Sequence, residues 1–248
     1  MTFLDHLEEL RWRILWSLVA VLVGTAVGFI LIQNFGVIDF LVSPVSRHLE
    51  DERLVYLSPT EPFFVTFKVA FFLGLILALP FLFYNFWAFV TPALLRKEKR
   101  IFFPAILSSL ILFCLGVVMA FTIVLPLGLD FLLGFQTSSL RPMITIGEYL
   151  TFATHISLAF GLVFELPLIV AILSWLGIMT PAFMRQKRRH AVVTICILSA
   201  VLTPGDIVVT MLLMAVPLLL LYEVSIYLAA AITSRRKAAL SAVPGEHE

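Results

Sequence analysis

Residues 96–127 read RKEKRIFFPAILSSLILFCLGVVMAFTIVLPL, in which five charged residues are followed by 27 residues without a charge. About 20 apolar residues in a helix are enough to cross a hydrocarbon core of about 30 Å. The uncharged run therefore predicts a transmembrane helix, and the charged cluster predicts a loop at one membrane surface. A helix is the structure that the pattern favours, because no segment of the chain alternates as a barrel strand does.

The rest of the chain repeats this pattern. Of its 248 residues, 61% are hydrophobic and only 13% are charged, which excludes a soluble domain. We predict an all-α integral membrane protein with six transmembrane helices and both termini cytoplasmic. The predicted spans are 13–34, 63–90, 101–127, 149–178, 191–204 and 207–232. They form a single membrane domain over residues 1–234, and residues 235–248 form a short cytoplasmic tail.

Two segments depart from an ordinary span. The fifth span has about 13 residues, or roughly 20 Å at 1.5 Å per residue, so we expect it to thin the membrane or to lie behind neighbouring helices. Residues 4–14 are amphipathic, with apolar side chains on one face and acids on the other. This pattern predicts an interfacial helix that precedes the first span and turns into it.

The distribution of Lys and Arg predicts the orientation. With the N-terminus inside, the inner segments hold 13 of the 17 basic residues, and the outer segments hold Arg47, Arg53, Lys68 and Arg141. Basic residues accumulate on the cytoplasmic side of membrane proteins. Both termini are therefore expected in the cytoplasm.

Glu98 is the only acid in the basic cluster 96–100. It does not contribute to orientation, so it either forms a salt bridge within the loop or accepts a cation that arrives from outside. The turn at residues 180–189 resembles the turn that contains the basic cluster 96–100, and it has Lys187 at the position that corresponds to Glu98. The acid is therefore not required by the turn itself, and both interpretations remain open on the residues alone.

Glu165 falls near the middle of the fourth predicted span, two residues before Pro167. A charge at this depth costs about 2.5–3.5 kcal/mol or more, so the side chain should face protein or water. Three interpretations remain open: a proton or ion carrier, a polar docking point for another helix, and a protonated group in a structural hydrogen bond. Pro167 predicts a kink, because its ring removes a backbone hydrogen bond.

Nothing in the sequence predicts catalysis. The five histidines lack the spacing of a metal site, Cys114 and Cys196 lie in apolar runs, and no Gly-rich phosphate loop occurs. We therefore predict no enzyme, no catalytic residue, no metal, no cofactor and no nucleic-acid partner. An alternative function is a proton-coupled secondary transporter that uses Glu165, although the spans contain few of the polar groups that such a protein needs. An intramembrane hydrolase is a third alternative, which no nucleophile motif supports.

Short motifs occur along the whole chain. They are His6-Leu7-Glu8-Glu9-Leu10-Arg11, Ser43-Pro44, Glu61-Pro62-Phe63-Phe64, Trp87-Ala88-Phe89, Pro92-Ala93-Leu94 with Glu98, Phe164-Glu165-Leu166-Pro167, and Leu202-Thr203-Pro204-Gly205-Asp206. Together they resemble the TatC family, the multi-span receptor subunit of the twin-arginine protein translocase. One departure is the turn before Asp206, which reads Pro-Gly where a second Pro can occur.

The resemblance implies a fold, a function and a set of site residues. The fold is a cupped, glove-like arrangement of six helices whose cytoplasmic face binds export signals that carry a paired-Arg motif. The implied signal-binding residues are Glu9, Glu98, Arg11, Phe89 and Leu94. Glu165 is implied as the membrane-embedded polar residue that docks a partner, and Pro44, Phe64 and Asp206 as residues of the outer face.

The resemblance also implies partners and a location. The partners are twin-arginine signal peptides of folded cargo proteins, small single-span TatA/TatB-type membrane proteins, membrane lipid, and further copies of the chain in the working complex. The location is the cytoplasmic (inner) membrane of a prokaryote, where transport uses the proton-motive force. Physical chemistry agrees, because a guanidinium can donate two hydrogen bonds to a carboxylate and two Arg residues would need two carboxylates.

Overall fold

The structure, a computed structural model, describes residues 3–46, 49, 54–90, 102–134, 143–202 and 208–241. In these ranges the chain is almost entirely helical, and the only β-type contact is a single bridge between Val55 and Thr145. The all-α prediction is confirmed. The helices are α1 (Phe3–Phe35), α2 (Val37–Ser46), α3 (Glu61–Val90), α4 (Phe102–Met119), α5 (Leu125–Gly134), α6 (Ile146–Val163), α7 (Leu166–Trp175), α8 (Pro181–Gln186), α9 (Arg188–Leu202) and α10 (Val208–Ser241).

Within the described ranges, five helical stretches are long and apolar enough to cross a membrane. They are Asp5–Phe35, Glu61–Phe89, Phe102–Gly134, Ile146–Trp175 and Met214–Ser234. They correspond to the first four predicted spans and the sixth. The predicted fifth span corresponds to α9, which has 15 residues. At about 22 Å this helix is as short as the sequence predicts, and the residues that follow it, 203–207, lie outside the described ranges.

The start of α1 differs from its prediction. The helix runs without interruption from Phe3 to Phe35, so the amphipathic residues 4–14 are its first turns and not a separate interfacial helix. The prediction of a turn before the first span is wrong. The physical reason is that no Gly or Pro occurs between Phe3 and Val23, so nothing in this stretch ends the helix.

The chain divides into two compact units, residues 1–158 and residues 159–248, which we describe separately. In the first unit α1 packs along α3 in an antiparallel manner, and glycines make the contact close. A Cβ on Gly28 would lie 2.6 Å from the carbonyl oxygen of Ala70, and a Cβ on Gly24 or Gly74 would overlap the facing backbone. Gly24 and Gly28 thus form a small-xxx-small pair, which lets two membrane helices approach closely. This spacing of the two glycines is visible in the sequence.

Short α2 is held against the start of α6. Pro44 lies inside α2 and cannot donate to the carbonyl oxygen of Phe40, but the hydroxyl of Ser43 donates to that oxygen at 2.8 Å. The hydroxyl of the buried Tyr149 donates to the carbonyl oxygen of Leu41 at 2.8 Å. The Ser43-Pro44 motif therefore continues the helix through a proline while the carbonyl group of Phe40 keeps a donor.

Two other prolines lie at interruptions of long helices. A π-helical segment, Ala120–Val124, joins α4 to α5 and ends two residues before Pro126. Its wider turn accommodates a proline ring that would crowd the carbonyl group of Thr122 in an α-helix. Between α6 and α7 the chain turns at Phe164 and Glu165, just before Pro167. The kink that Pro167 predicts is confirmed as a break in the helix.

In the second unit α10 packs against α7, α8 and α9. Its apolar core contains Val170, Met184, Ile226 and Ala229. The hydroxyl of Ser174 on α7 lies 3.3 Å from the carbonyl oxygen of Ala229 on α10. The first half of the predicted tail is helical, since α10 continues to Ser241.

Candidate functional site

The predicted site residues lie in three places. Glu9, Arg11 and Phe89 belong to one end of the first unit, Pro44 and Phe64 lie on α2 and in the first turn of α3, and Glu165 belongs to the second unit. Glu98, Leu94 and Asp206 lie outside the described residues, so the predictions for them remain predictions.

A ring contact joins the beginning of α1 to the end of α3. The rings of His6 and Phe89 are stacked, with centroids 4.3 Å apart and an angle of 9° between their planes. Glu9 lies one helical turn beyond His6, on the same face of α1. The contact therefore brings two predicted site residues, Glu9 and Phe89, to the end of the unit from which residues 91–101 continue.

The helices on either side of residues 91–101 are also fastened. The indole Nε1–H of Trp87 donates to the hydroxyl of Ser109 at 3.0 Å, and this buried bond joins α3 to α4. The amide of Asn85 donates to the hydroxyl of Ser17 at 3.2 Å, which joins α3 to α1. Hydrogen bonds between side chains inside a membrane limit how helices rotate against each other. Hydrogen bonds among α1, α3 and α4 thus hold the helices that carry Glu9 and Phe89 in position.

The carboxylate of Glu9 is already paired. Its Oε1 accepts hydrogen bonds from Nε of Arg13 at 3.0 Å and from Nη2 of Arg13 at 2.5 Å. Its Oε2 is buried and lies 3.8 Å from Nδ1 of His6. The side chains of Glu9 and Arg13 are each 24% exposed, so the pair is partly shielded from water.

Sequence reasoning named Glu9 and Arg11 but missed His6 and Arg13. Arg11 is exposed and lies two residues from Glu9, a spacing at which helical side chains do not face each other. Residues 6, 9 and 13 have the spacing i, i+3, i+7, which puts all three side chains on one face of α1. That spacing is the signal that could have identified them.

The other end of the first unit contains a second carboxylate with several partners. Oε1 of Glu61 accepts the backbone N–H of Gly147 at 2.9 Å, and Oε2 accepts the backbone N–H of Leu57 at 2.9 Å. The backbone N–H of Ile146 donates to the carbonyl oxygen of Val55 at 2.9 Å. These bonds fasten the segment before α3 to the start of α6.

The two described outer-face candidates differ in their surroundings. Pro44 is half-buried within α2, where it belongs to the packing described above. Phe64 is 59% exposed in the first turn of α3 and makes an edge-on contact with Phe63, with ring centroids 5.6 Å apart. One turn further along α3, Nζ of Lys68 donates to the hydroxyl of Thr151 on α6 at 3.1 Å.

Glu165 is buried in the second unit, at the turn between α6 and α7. Its backbone N–H donates to the carbonyl oxygen of Leu162 at 3.1 Å, and its own carbonyl oxygen accepts the N–H of Ile169 at 3.0 Å. The residue therefore belongs to the helix break that precedes Pro167. This position agrees with the expectation that the side chain faces protein.

The basic turn of the second unit begins with a helix cap. The Thr180 hydroxyl accepts the backbone N–H of Phe183 at 3.2 Å, and Pro181 is the first residue of α8. Nη2 of Arg188 donates to Oε2 of Glu223 on α10 at 2.6 Å. Within the described residues, no three His, Cys, Asp or Glu side chains are grouped so as to hold a metal ion.

Long apolar helices, helices interrupted at prolines and the charged side chains at the start of α1 define this chain as an α-helical, multi-pass membrane protein. The family model of TatC, described as "Sec-independent protein translocase protein (TatC)", matches residues 5–217. The chain belongs to the TatC family. The resemblance that the sequence motifs indicate is confirmed.

Known proteins support this membership over nearly the full length. The Sec-independent protein translocase protein TatC of Aquifex aeolicus is 38% identical over 239 residues, which cover 96% of this chain and 98% of that protein. TatC of Carboxydothermus hydrogenoformans is 41% identical over 92% of this chain and 93% of its own. A solved structure described as "Crystal Structure of Twin Arginine Translocase Receptor- TatC" is 39% identical and superposes with a TM-score of 0.82 over 92% of this chain and 99% of that one.

Proposed function

We propose that this chain is the receptor component of a twin-arginine protein export system. It binds signal peptides that carry a paired-Arg motif at its cytoplasmic face and nucleates the complex that moves folded proteins across the membrane with the proton-motive force. The observation that carries the proposal is the stack of His6 on Phe89, because it holds the Glu9 carboxylate beside the end of α3, where the loop that contains Glu98 begins.

The chemistry of this end suits a guanidinium. Glu9 already accepts two N–H groups from one guanidinium, that of Arg13, so the carboxylate is oriented to bind this group. Glu98 would supply the second carboxylate for the second Arg of the motif. Hydrogen bonds to charged groups contribute about 1.5–3 kcal/mol each, and less where salt screens them. Two such contacts give an affinity from which a signal can still be released.

We propose that Arg11, Phe89 and Leu94 complete the contact with the signal. Phe89 offers an aromatic face to the apolar part of the peptide, and the side chain of Arg11 is exposed. Pro44, Phe64 and Asp206 belong to the outer face, where they support the fold. Glu165 is the docking point for small single-span TatA/TatB-type proteins or for further copies of the chain.

The orientation and the location belong to the same proposal. Both termini lie in the cytoplasm, and the membrane is the cytoplasmic membrane of a prokaryote. In a variant that lacks Cys114 and Cys196, a single cysteine at position 189 should react with a membrane-impermeant maleimide only after the membrane has been permeabilised. A cysteine at position 56 should react from the outside, and the reverse pattern would contradict the proposed orientation.

The central experiment is crosslinking from positions 9, 89 and 98 to a signal peptide, with the Arg pair intact or replaced by Lys. We expect crosslinks that depend on the Arg pair. We expect Glu98→Ala to weaken the crosslinks from positions 9 and 89 while the protein remains inserted in the membrane. Crosslinking that does not change with Glu98→Ala at several salt concentrations would reject the role of this residue. Solute flux through the reconstituted chain alone would instead favour a proton-coupled transporter that uses Glu165.

A further inference from the structure

We propose that the Arg13 side chain competes with the signal peptide for the Glu9 carboxylate. A guanidinium of the signal must displace Arg13 from Glu9, so Arg13 sets the affinity of the site. The proposal rests on the proposed function and adds a competitor from within the chain. Its basis is the geometry of the pair, in which neither carboxylate oxygen is open to a new ligand.

The first oxygen is occupied. Oε1 of Glu9 accepts Nε of Arg13 at 3.0 Å and Nη2 of Arg13 at 2.5 Å, so both lone-pair directions of that oxygen are used. A second guanidinium could not add two parallel hydrogen bonds there. The Arg13 side chain must therefore leave before a signal Arg can bind Oε1 in the same way.

The second oxygen is covered. Oε2 of Glu9 is buried and faces the His6 ring at 3.8 Å. His6 cannot simply move aside, because its ring is stacked on Phe89. Access through Oε2 would break a contact between two helices, whereas access through Oε1 requires only a rotation of the Arg13 side chain. Displacement of Arg13 is thus the easier route.

This arrangement predicts the relative affinity of the site for different ligands and the salt dependence of binding. The free energy needed to displace Arg13 is the same for every ligand, so it lowers all affinities by one factor and leaves the ratio between an Arg pair and a Lys pair unchanged. Signal binding exchanges one ion pair for another at Glu9, which makes its salt dependence shallow. Without Arg13, binding would create a new ion pair, and its salt dependence would become steeper.

The test uses the full chain in nanodiscs and a fluorescent signal peptide that contains an Arg pair or a Lys pair. We expect Arg13→Gln to tighten binding of both peptides by about two- to fivefold, the scale of a partly exposed ion pair, and to steepen the salt dependence. Arg13→Lys retains the charge but loses the planar fork, so it should give an intermediate affinity. In a Glu9→Gln background, Arg13→Gln should have no effect.

Arg189→Gln is the control for charge, because it removes one exposed cation from the basic turn of the second unit. Equal tightening by Arg189→Gln and Arg13→Gln would overturn the proposal, since a general change in charge would then explain the effect. Unchanged or weaker binding by Arg13→Gln would also overturn it, provided that Glu9→Gln weakens binding. If Glu9→Gln has no effect on binding in the first place, the proposed role of Glu9 fails together with this inference. Gel filtration and thermal unfolding of each variant exclude a folding defect.

Discussion

The carboxylate of Glu61 accepts the backbone N–H of Gly147 at 2.9 Å, across 86 positions of sequence. The approach is so close that a Cβ on Gly147 would lie 2.6 Å from Oε1 of Glu61. A side chain at this position is disfavoured by this contact and not by an unusual backbone angle, because the Glu61 carboxylate would have to move away from the backbone N–H. Since Glu61 also accepts the N–H of Leu57, one carboxylate holds the segment before α3 against the start of α6.

The first prediction concerns this contact. Gly147→Ala and Glu61→Gln should each lower the free energy of unfolding by about 1–3 kcal/mol, because they strain or weaken hydrogen bonds to a charged acceptor. For a chain of this size that corresponds to a fall in melting temperature of several degrees. Thermal unfolding in detergent measures the change, and Glu148→Gln is the matched control because this exposed acid lies next to Gly147. An equal loss in the control would show that the charge of the segment matters and not the contact.

The second prediction concerns the close packing of α1 on α3. Gly74→Ala should destabilise the protein by about 1–3 kcal/mol, because the new methyl group overlaps the backbone of α1 and forces the helices apart. Separation of the helices would also weaken the His6–Phe89 contact and thus signal crosslinking from position 9. Gly128→Ala is the control, since a Cβ there has no atom within 4 Å and should be tolerated. Both quantities can be measured on the same purified samples. A stable Gly74→Ala variant with normal crosslinking would contradict the packing argument.

The third prediction concerns the ring stack. Phe89→Leu should reduce crosslinking of the signal peptide from position 9 by about two- to tenfold, which matches the 0.5–1.5 kcal/mol of an aromatic pair. His6→Leu should have a similar effect, and the double variant should be little worse than either single one, because both changes remove the same contact. Phe81→Leu alters an exposed ring elsewhere on α3 and serves as the control. Additive losses in the double variant would show that the two rings act separately.

The fourth prediction separates binding from transport. Glu165→Ala should leave the affinity for the signal peptide within about twofold, because the proposed role of Glu165 is docking and not signal binding. It should impair export of a folded cargo or assembly with the single-span partners. Glu165→Gln distinguishes the three interpretations of this residue, since it retains hydrogen bonding but cannot carry a proton. Export that survives Glu165→Gln excludes a proton carrier. A loss of signal binding as large as that of Glu98→Ala would mean that the two sites are not separable.

Local features of the sequence account for the elements of the fold. The long apolar helix after the charged cluster 96–100, the break before Pro167 and the short α9 were each predicted, and the structure confirms them. Hydropathy and helix-end chemistry depend on neighbours within a few turns, so the chain itself carries this information. The uninterrupted α1 was mispredicted because an amphipathic pattern does not end a helix unless a residue breaks it.

The candidate site depended on tertiary structure. His6 and Phe89 are 83 positions apart, and their contact depends on how α1 is rotated and shifted along α3. Sequence pattern cannot supply this rotation inside a membrane, because the faces of a helix that meet lipid and protein are both apolar. The sequence thus determined which segments enter the membrane and which acids are unusual. Only the packing of glycine faces determined that Glu9 lies beside the end of α3, and only the side-chain geometry determined that Arg13 occupies it.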